Sequence, residues 1–302
     1  MNDQEIAWPV KAHELIDGLM DSTVWNDIDF RDDDIVIATY GKAGTTWLQQ
    51  IVAQLIFGGQ DMPVGELSPW VEFRMFPKEA TLGILEKQTH RRFMKTHLPV
   101  DALVFSPNVK YIYVARDGRD VLWSYHKFMS GFGAPPPQLQ ALIDAGKAEA
   151  PQPPNPDIRA FYHEWLDKDG YPFHPFFAHV QGWWDIRHLP NVLLLHFNDL
   201  RSDLAGQMRR VADFIGVNVD PATWPTLVEH CTFDYMKSKA GAVAPIGATF
   251  MTEGRQAFFH KGTNGRWREL LSAEEAKKYD DMAVAKLTSD CAHWLATGEQ
   301  LD

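Results

Sequence analysis

The chemistry this chain can do is concentrated in a few short segments. Lys42 lies in the run Thr39-Tyr40-Gly41-Lys42-Ala43-Gly44-Thr45-Thr46-Trp47. A tight glycine-bearing turn between a strand and a helix aims backbone N–H groups and the positive end of the helix at one point, which makes an anion site. Lys42 adds a full charge, and Thr45 and Thr46 add hydroxyl donors. The run is not the nucleotide-triphosphatase loop, which needs GxxxxGK followed by Ser or Thr. Here Gly44 is followed directly by Thr45, and the lysine comes earlier. No hydroxyl follows a lysine to hold Mg²⁺, so the loop suits an anion handled without a metal. The plainer alternative is a threonine-capped turn with no ligand.

A second segment, Lys95-Thr96-His97-Leu98-Pro99, closes another apolar run. A histidine there can present its ring at the carboxyl edge of a sheet, where ligands of open α/β sheets collect. An imidazole with an ordinary pKa near ~6.5 suits a general base at neutral pH. A third, Tyr113 to Tyr125, ends a strand at Arg116 and carries Ser124 two helical turns further on. An arginine fork grips a phosphate bidentately, and a serine hydroxyl can complete the grip. A surface salt bridge among Arg116, Asp117 and Asp120 is the competing reading. Trp47, at the start of a helix beside the anion loop, can stack on a purine or pack in the core.

These residues need elements to position them. Asp34–Tyr40, residues 93–95, Lys110–Ala115 and Asn191–Phe197 read as buried strands, being short, apolar and rich in β-branched or aromatic residues. Thr45–Phe57, Arg119–Met129 and Asp203–Ile215 carry helical spacing. Strands alternating with helices predict an α/β fold, with a mostly parallel central sheet flanked by helices. The tail, Ser272–Leu295, reads as one closing helix. Residues 131–157, with prolines at 135–137 and 153–154, are too long for a plain connection and read as a lid or variable excursion. Residues 240–265 are rich in glycine and lack apolar periodicity.

The chain of 302 residues is 45% hydrophobic, ample for a sizeable core. Its formal net charge of −11 argues against binding a nucleic-acid backbone but not against a small anion held by a few cations. The two cysteines, Cys231 and Cys291, make no disulfide framework, which suits a reducing compartment. The N-terminus carries no basic region followed by an apolar run, and no stretch approaches the length of a membrane span. A cytoplasmic protein is expected.

The first segment resembles the 5′-phosphosulfate-binding loop of the cytosolic sulfotransferase family, usually TYPKSGTTW, with Gly41 for proline and Ala43 for serine. KTHLP is similar to the segment holding that family's catalytic base, at the position of His97. Arg116 and Ser124 match its 3′-phosphate site. Phe259 to Trp267 resembles its late RKGxxGxW segment, with Lys261, Gly262, Gly265 and Trp267 in place and His260 where arginine is usual. His260 would turn a fixed charge into a titratable one. His230 to Phe233 resembles the adenine-contacting segment; Phe233 matches, Cys231 replaces a threonine, and Phe197 stands where a tyrosine is frequent. The family's C-terminal dimer pattern is not met, since Ala273 and Lys277 replace its valine and acid, so the oligomeric state stays open.

The resemblance implies a single domain over residues 1–302 with a P-loop-like phosphosulfate-binding loop. It implies a sulfotransferase that moves a sulfuryl group from PAPS (3′-phosphoadenosine 5′-phosphosulfate) to a hydroxyl or amine of a small, partly apolar acceptor, leaving PAP, without a metal. His97, Lys42 and Lys95 would be catalytic. Lys42, Ala43, Gly44, Thr45, Thr46, Trp47, Arg116, Ser124, Phe233, His260, Lys261 and Gly262 would bind the donor. Trp70, Phe73, Phe76, Tyr125 and Phe128 are candidates for an apolar acceptor pocket. A P-loop-type small-molecule kinase and a non-catalytic PAP-binding protein are the alternatives.

Overall fold

The computed structural model describes residues 6–135, 137–146, 153–170 and 173–301. The sheet has four parallel strands in the order β2-β1-β3-β4: β1 (Ile35–Thr39), β2 (Phe93–Thr96), β3 (Lys110–Ala115) and β4 (Val192–His196). Each lies within a residue or two of the predicted run. The register pairs Ile37 with Lys95 on one side and with Ile112 on the other, and Tyr113 with Leu194.

Because strand side chains alternate between faces, the sheet divides its own residues between two cores. Val36, Ala38, Tyr111, Tyr113 and Leu194 point into one with Trp25, Phe176, Trp183 and Trp294. Ile35, Ile37, Ile112, Val114 and Leu195 point into the other with Leu48, Ile51, Met208 and Val211. A sheet covered on both faces has no polar side, which is why its strands read as near-continuous apolar runs.

The helices of the first half are α1 (Thr45–Phe57), α2 (Val64–Leu67), α3 (Lys78–Lys87), α4 (Gly118–Met129), α5 (Pro137–Asp144), α6 (Ile158–Asp167) and α7 (Phe176–Asp185). The second half holds α8 (Phe197–Ser202), α9 (Leu204–Ile215), α10 (Trp224–His230), α11 (Phe233–Ser238), α12 (Ala240–Val243), α13 (Ala273–Lys286) and α14 (Ser289–Thr297). Helix α1 ends at Gly58 in the left-handed conformation, and Asp203 caps α9.

Two expectations change. The tail is two helices, because Leu287 and Thr288 are extended, and Leu287 is buried so that both helices pack on α7. Residues 240–265, though aperiodic, build a small core of their own: Met236, Ala240, Val243, Ala248, Met251 and Phe259.

Strand β1 has β2 on one side and β3 on the other, so the chain reverses its direction of winding at β1. Ligands of open α/β sheets bind in the crevice outside the strand ends at such a point. The residues that follow the four strands there are Tyr40, His97, Arg116 and Phe197.

Candidate active site

A cleft of about 1820 Å³ opens at this edge. Of the residues predicted to act on the donor, Lys42, Gly44, Thr45, Thr46, Trp47, Lys95, His97, Arg116, Ser124, Phe233, His260, Lys261 and Gly262 all line it. Ala43 does not. Its methyl is buried in the core, and its N–H donates to the Tyr40 carbonyl at 3.1 Å, closing the turn. The amides at the start of α1, Gly44 to Thr46, have no side-chain cap and remain the turn's candidates for an anion.

The turn is unusual in its backbone. Lys42 has φ of 70° and Gly44 has φ of 122°, both positive, and for Lys42 this is a backbone that L side chains seldom adopt. Gly41 is not loose despite replacing a proline. The Phe173 ring lies where a side chain would stand, 3.1 Å from an added Cβ.

Lys42 Nζ sits between two ring faces, 4.0 Å from the centre of Phe128 and 4.2 Å from that of Phe258. Burial, then the nearby Arg116 and Lys95, push its pKa down to about 7. Lys95 stands over Trp70 at 5.5 Å and is pushed down to about 8 by burial, which Glu72 partly offsets.

His97 is buried and held from three sides. Its Nδ1 lies 2.8 Å from the Thr39 carbonyl, its backbone N–H donates to Glu72 Oε1 at 2.7 Å, and Trp70 meets the ring edge-on at 4.7 Å. A carbonyl oxygen can only accept, so Nδ1 carries the proton and Nε2 holds the lone pair. Burial and then Lys95 push the imidazole down to about 3, so it is neutral at pH 7. The Thr39 hydroxyl, 3.2 Å from Nδ1, also meets the Thr45 hydroxyl at 2.6 Å, which links the ring to the anion loop.

Among the described residues Arg116 makes no salt bridge; Asp117 is taken by Arg119. Instead Arg116 donates to Asn264 Oδ1 from Nε and Nη2 (3.0 and 2.7 Å), to the Thr263 carbonyl and to the Lys42 carbonyl (both 3.2 Å). Its plane lies 4.2 Å from the Phe197 ring. Burial pushes it down to about 10, still charged at neutral pH.

Trp47 donates from Nε1 to the Cys231 carbonyl at 2.8 Å and meets Phe197 edge-on. The Phe233 ring packs against Gly262, where an added Cβ would come within 2.6 Å of it. His260 is lowered below the usual imidazole range by burial and by Arg266, Lys127, Lys261 and Lys237 around it.

Sequence reasoning missed Glu72. Its carboxylate is fully buried and accepts from four groups: Trp70 Nε1 at 2.6 Å, the His97 N–H, Thr96 Oγ1 at 3.1 Å and Trp25 Nε1 at 2.9 Å. The available signal was a lone acid inside the aromatic run 69–76. The five proposed pocket aromatics, Trp70, Phe73, Phe76, Tyr125 and Phe128, all line the cleft, with Trp70 and Phe73 stacked at 4.4 Å.

A doubly covered parallel sheet with a glycine-bearing strand-to-helix turn at its switch point defines an α/β protein of P-loop-like fold. A family model described as a sulfotransferase domain matches residues 32–290. A glycolipid sulfotransferase of Mycobacterium bovis is 30% identical over 93% of both chains. Sulfotransferase 1A1 of Rattus norvegicus is 28% identical over 92% of this chain and 90% of its own. Among solved structures, retinol dehydratase in complex with androsterone and PAP aligns with a TM-score of 0.67 at 25% identity, covering 88% of this chain and 84% of that one. A mouse sulfotransferase complexed with PAP shares the fold, with a TM-score of 0.69 at 21% identity over 91% and 92% of the two chains. The chain belongs to the sulfotransferase family and is an enzyme of that class. No helix among the described residues is long and apolar enough to cross a membrane.

Proposed function

We propose that the enzyme takes its sulfuryl group from PAPS, releases PAP, and uses His97 as the base that takes the acceptor's proton. The observation that carries this reading is the meeting of Lys42, His97 and Arg116 in one cleft. The chemistry of the lining fits a doubly anionic nucleotide. The turn offers three backbone amides, two threonine hydroxyls and Lys42, and the lining adds Arg116, Ser124, His260 and Lys261 with the aromatic side chains of Trp47 and Phe233.

In transfer, a bond forms between the acceptor oxygen or nitrogen and sulfur, and the bond from sulfur to the phosphate oxygen breaks. The electron pair of the broken bond stays on that oxygen. Lys42 and the amides of Gly44–Thr46 supply positive charge there, and one preorganised donor of this kind is worth about 3–4 kcal/mol. His97 Nε2 receives the acceptor's proton. The Thr39 carbonyl stabilises the imidazolium through Nδ1–H, and such a base contributes roughly 10²–10⁴ in rate. Lys95 contacts the group in transfer. Arg116, Ser124 and Lys261 take no part in bond-making and hold the donor in register.

The acceptor side of the cleft is walled by Trp70, Phe73, Phe76, Tyr125 and Phe128, which suits an apolar body carrying a hydroxyl or amine. The mycobacterial relative is a glycolipid sulfotransferase, which favours lipid-like acceptors. Phe132, Leu139 and Pro153, from residues 131–157, also line the cleft and support a lid role for that segment; residues 136 and 147–152 lie outside the described residues. Both cysteines are free and buried, in keeping with a cytoplasmic enzyme.

The test is a panel of phenols, alcohols, amines and glycolipids assayed with PAPS, together with thermal shifts by PAP and 5′-AMP. Transfer to a member of the panel, and a larger shift with PAP, are expected. PAP binding with no transfer to any acceptor would favour a non-catalytic binder. ATP-dependent turnover abolished by EDTA would favour a kinase.

A further inference from the structure

The fork of Arg116 is already filled by a side chain. Asn264 Oδ1 accepts from both Nε and Nη2, the adjacent pair of donors that a phosphate would take bidentately. Two carbonyls, of Thr263 and Lys42, accept two further N–H groups. An arginine has five such donors, so the protein itself engages four. Asn264 is held in turn by its Nδ2, which donates to Asn198 Oδ1 in α8 at 2.6 Å.

The chain around Asn264 can release it. Gly262 and Gly265, with φ of 62° and 80°, bracket the Thr263-Asn264 pair, and both conformations lie where L side chains are strained. Gly265 is anchored through its N–H to Asp120 Oδ1 at 2.8 Å. A short dipeptide between an anchored glycine and a second glycine can swing its side chain without moving α4 or α8.

We propose that Asn264 is a positioning residue for the donor: its amide oxygen holds the Arg116 fork in place and is exchanged for the 3′-phosphate when the donor binds. This rests on the reading of Arg116 as a 3′-phosphate contact. The amide keeps the guanidinium oriented across the cleft without adding a negative charge that would oppose the incoming dianion. It also competes with that dianion. A charged acceptor outbids a neutral one for the same fork, so the exchange runs forward on binding. The competition sets donor affinity below what the bare fork would give.

The test is titration calorimetry of PAP and of 5′-AMP against wild type, Asn264→Ala and Asn264→Asp. Asn264→Ala removes the competitor and is expected to tighten PAP roughly three- to tenfold while leaving 5′-AMP unchanged. Asn264→Asp keeps the tie and adds a charge, and is expected to weaken PAP at least about tenfold, again sparing 5′-AMP. If Asn264→Ala weakens PAP or leaves it unchanged, the residue only braces the loop and the exchange is wrong. If wild type itself does not prefer PAP to 5′-AMP, the 3′-phosphate reading of Arg116 fails, and the proposal falls with it.

Discussion

Replacing Glu72 by glutamine changes one atom in the network that fixes His97, and its effect can be worked out bond by bond. Three donors converge on Oε1: Trp70 Nε1, the His97 N–H and Thr96 Oγ1. One donor, Trp25 Nε1, meets Oε2. The amide oxygen of a glutamine must stay on the side of the three, so its NH₂ faces the Trp25 N–H. One accepted bond becomes a donor–donor contact in the core, at a cost of about 1–3 kcal/mol. In a chain of this size that lowers Tm by about 2–5 °C. Trp25→Phe removes the opposing donor, so the double variant should be less destabilised than the sum of the singles, by about 1 kcal/mol. The loss of charge has a second effect. Glu72 is the group that raises the proton affinity of Lys95, so the variant's Lys95 deprotonates at lower pH and the alkaline fall in activity moves down. Denaturant titration of the four proteins measures the coupling, and a pH–rate series measures the limb. Strict additivity of the two substitutions, with an unmoved alkaline limb, would refute the account of Glu72.

Substituting His97→Ala is expected to lower kcat by about 10²–10⁴ while PAP affinity, read by calorimetry, stays within a factor of about two of wild type; loss of PAP binding in a folded variant would remove the base assignment. In the free enzyme Lys42 and Lys95 titrate near about 7 and about 8, and His97 near about 3. Thus kcat/KM for the donor should fall as pH rises from about 6 to about 9, as first Lys42 and then Lys95 lose their protons, and stay level from about 6 down to about 5; a rise with pH through an ordinary histidine pKa near ~6.5 would contradict it. His260 is held below its usual range by burial and by the surrounding cations, and a bound dianion draws a proton onto it. PAP should therefore tighten as pH falls and His260 gains its proton in the complex, and His260→Arg should bind tightly with a flatter pH dependence.

The strand, turn and helix from Ile35 to Phe57 were legible because each part has a local cause. An apolar run bounded by acids makes the buried strand, glycines make the turn, and a spacing of three and four makes the helix. His97 was legible through its resemblance, but what makes it a neutral, singly oriented imidazole was not. That depends on Thr39, Trp70 and Glu72, which neighbour it only after β1 and β2 pair. Asn264 reads in the sequence as a turn residue between glycines, and its partner Arg116 lies 148 positions away. The core of residues 240–265 stayed hidden because 3₁₀ turns of four or five residues are too short to show a period. The break at Leu287 carries no glycine or proline to mark it. Ala43 was assigned to the ligand by its place in the motif, yet the turn itself consumes its N–H.

The three basic groups deep in the cleft have uncharged nearest hosts: Lys42 lies between two ring faces, Lys95 over a third, and Arg116 against amide and carbonyl oxygens, with the Glu72 carboxylate acting on Lys95 only from a distance. Among the described residues none of the three forms an ion pair with a carboxylate. A molecule of net charge −11 thus concentrates positive charge in one recess, so the attraction an anion feels there is local and, being buried, is weakened less by added salt than an exposed charge pair would be.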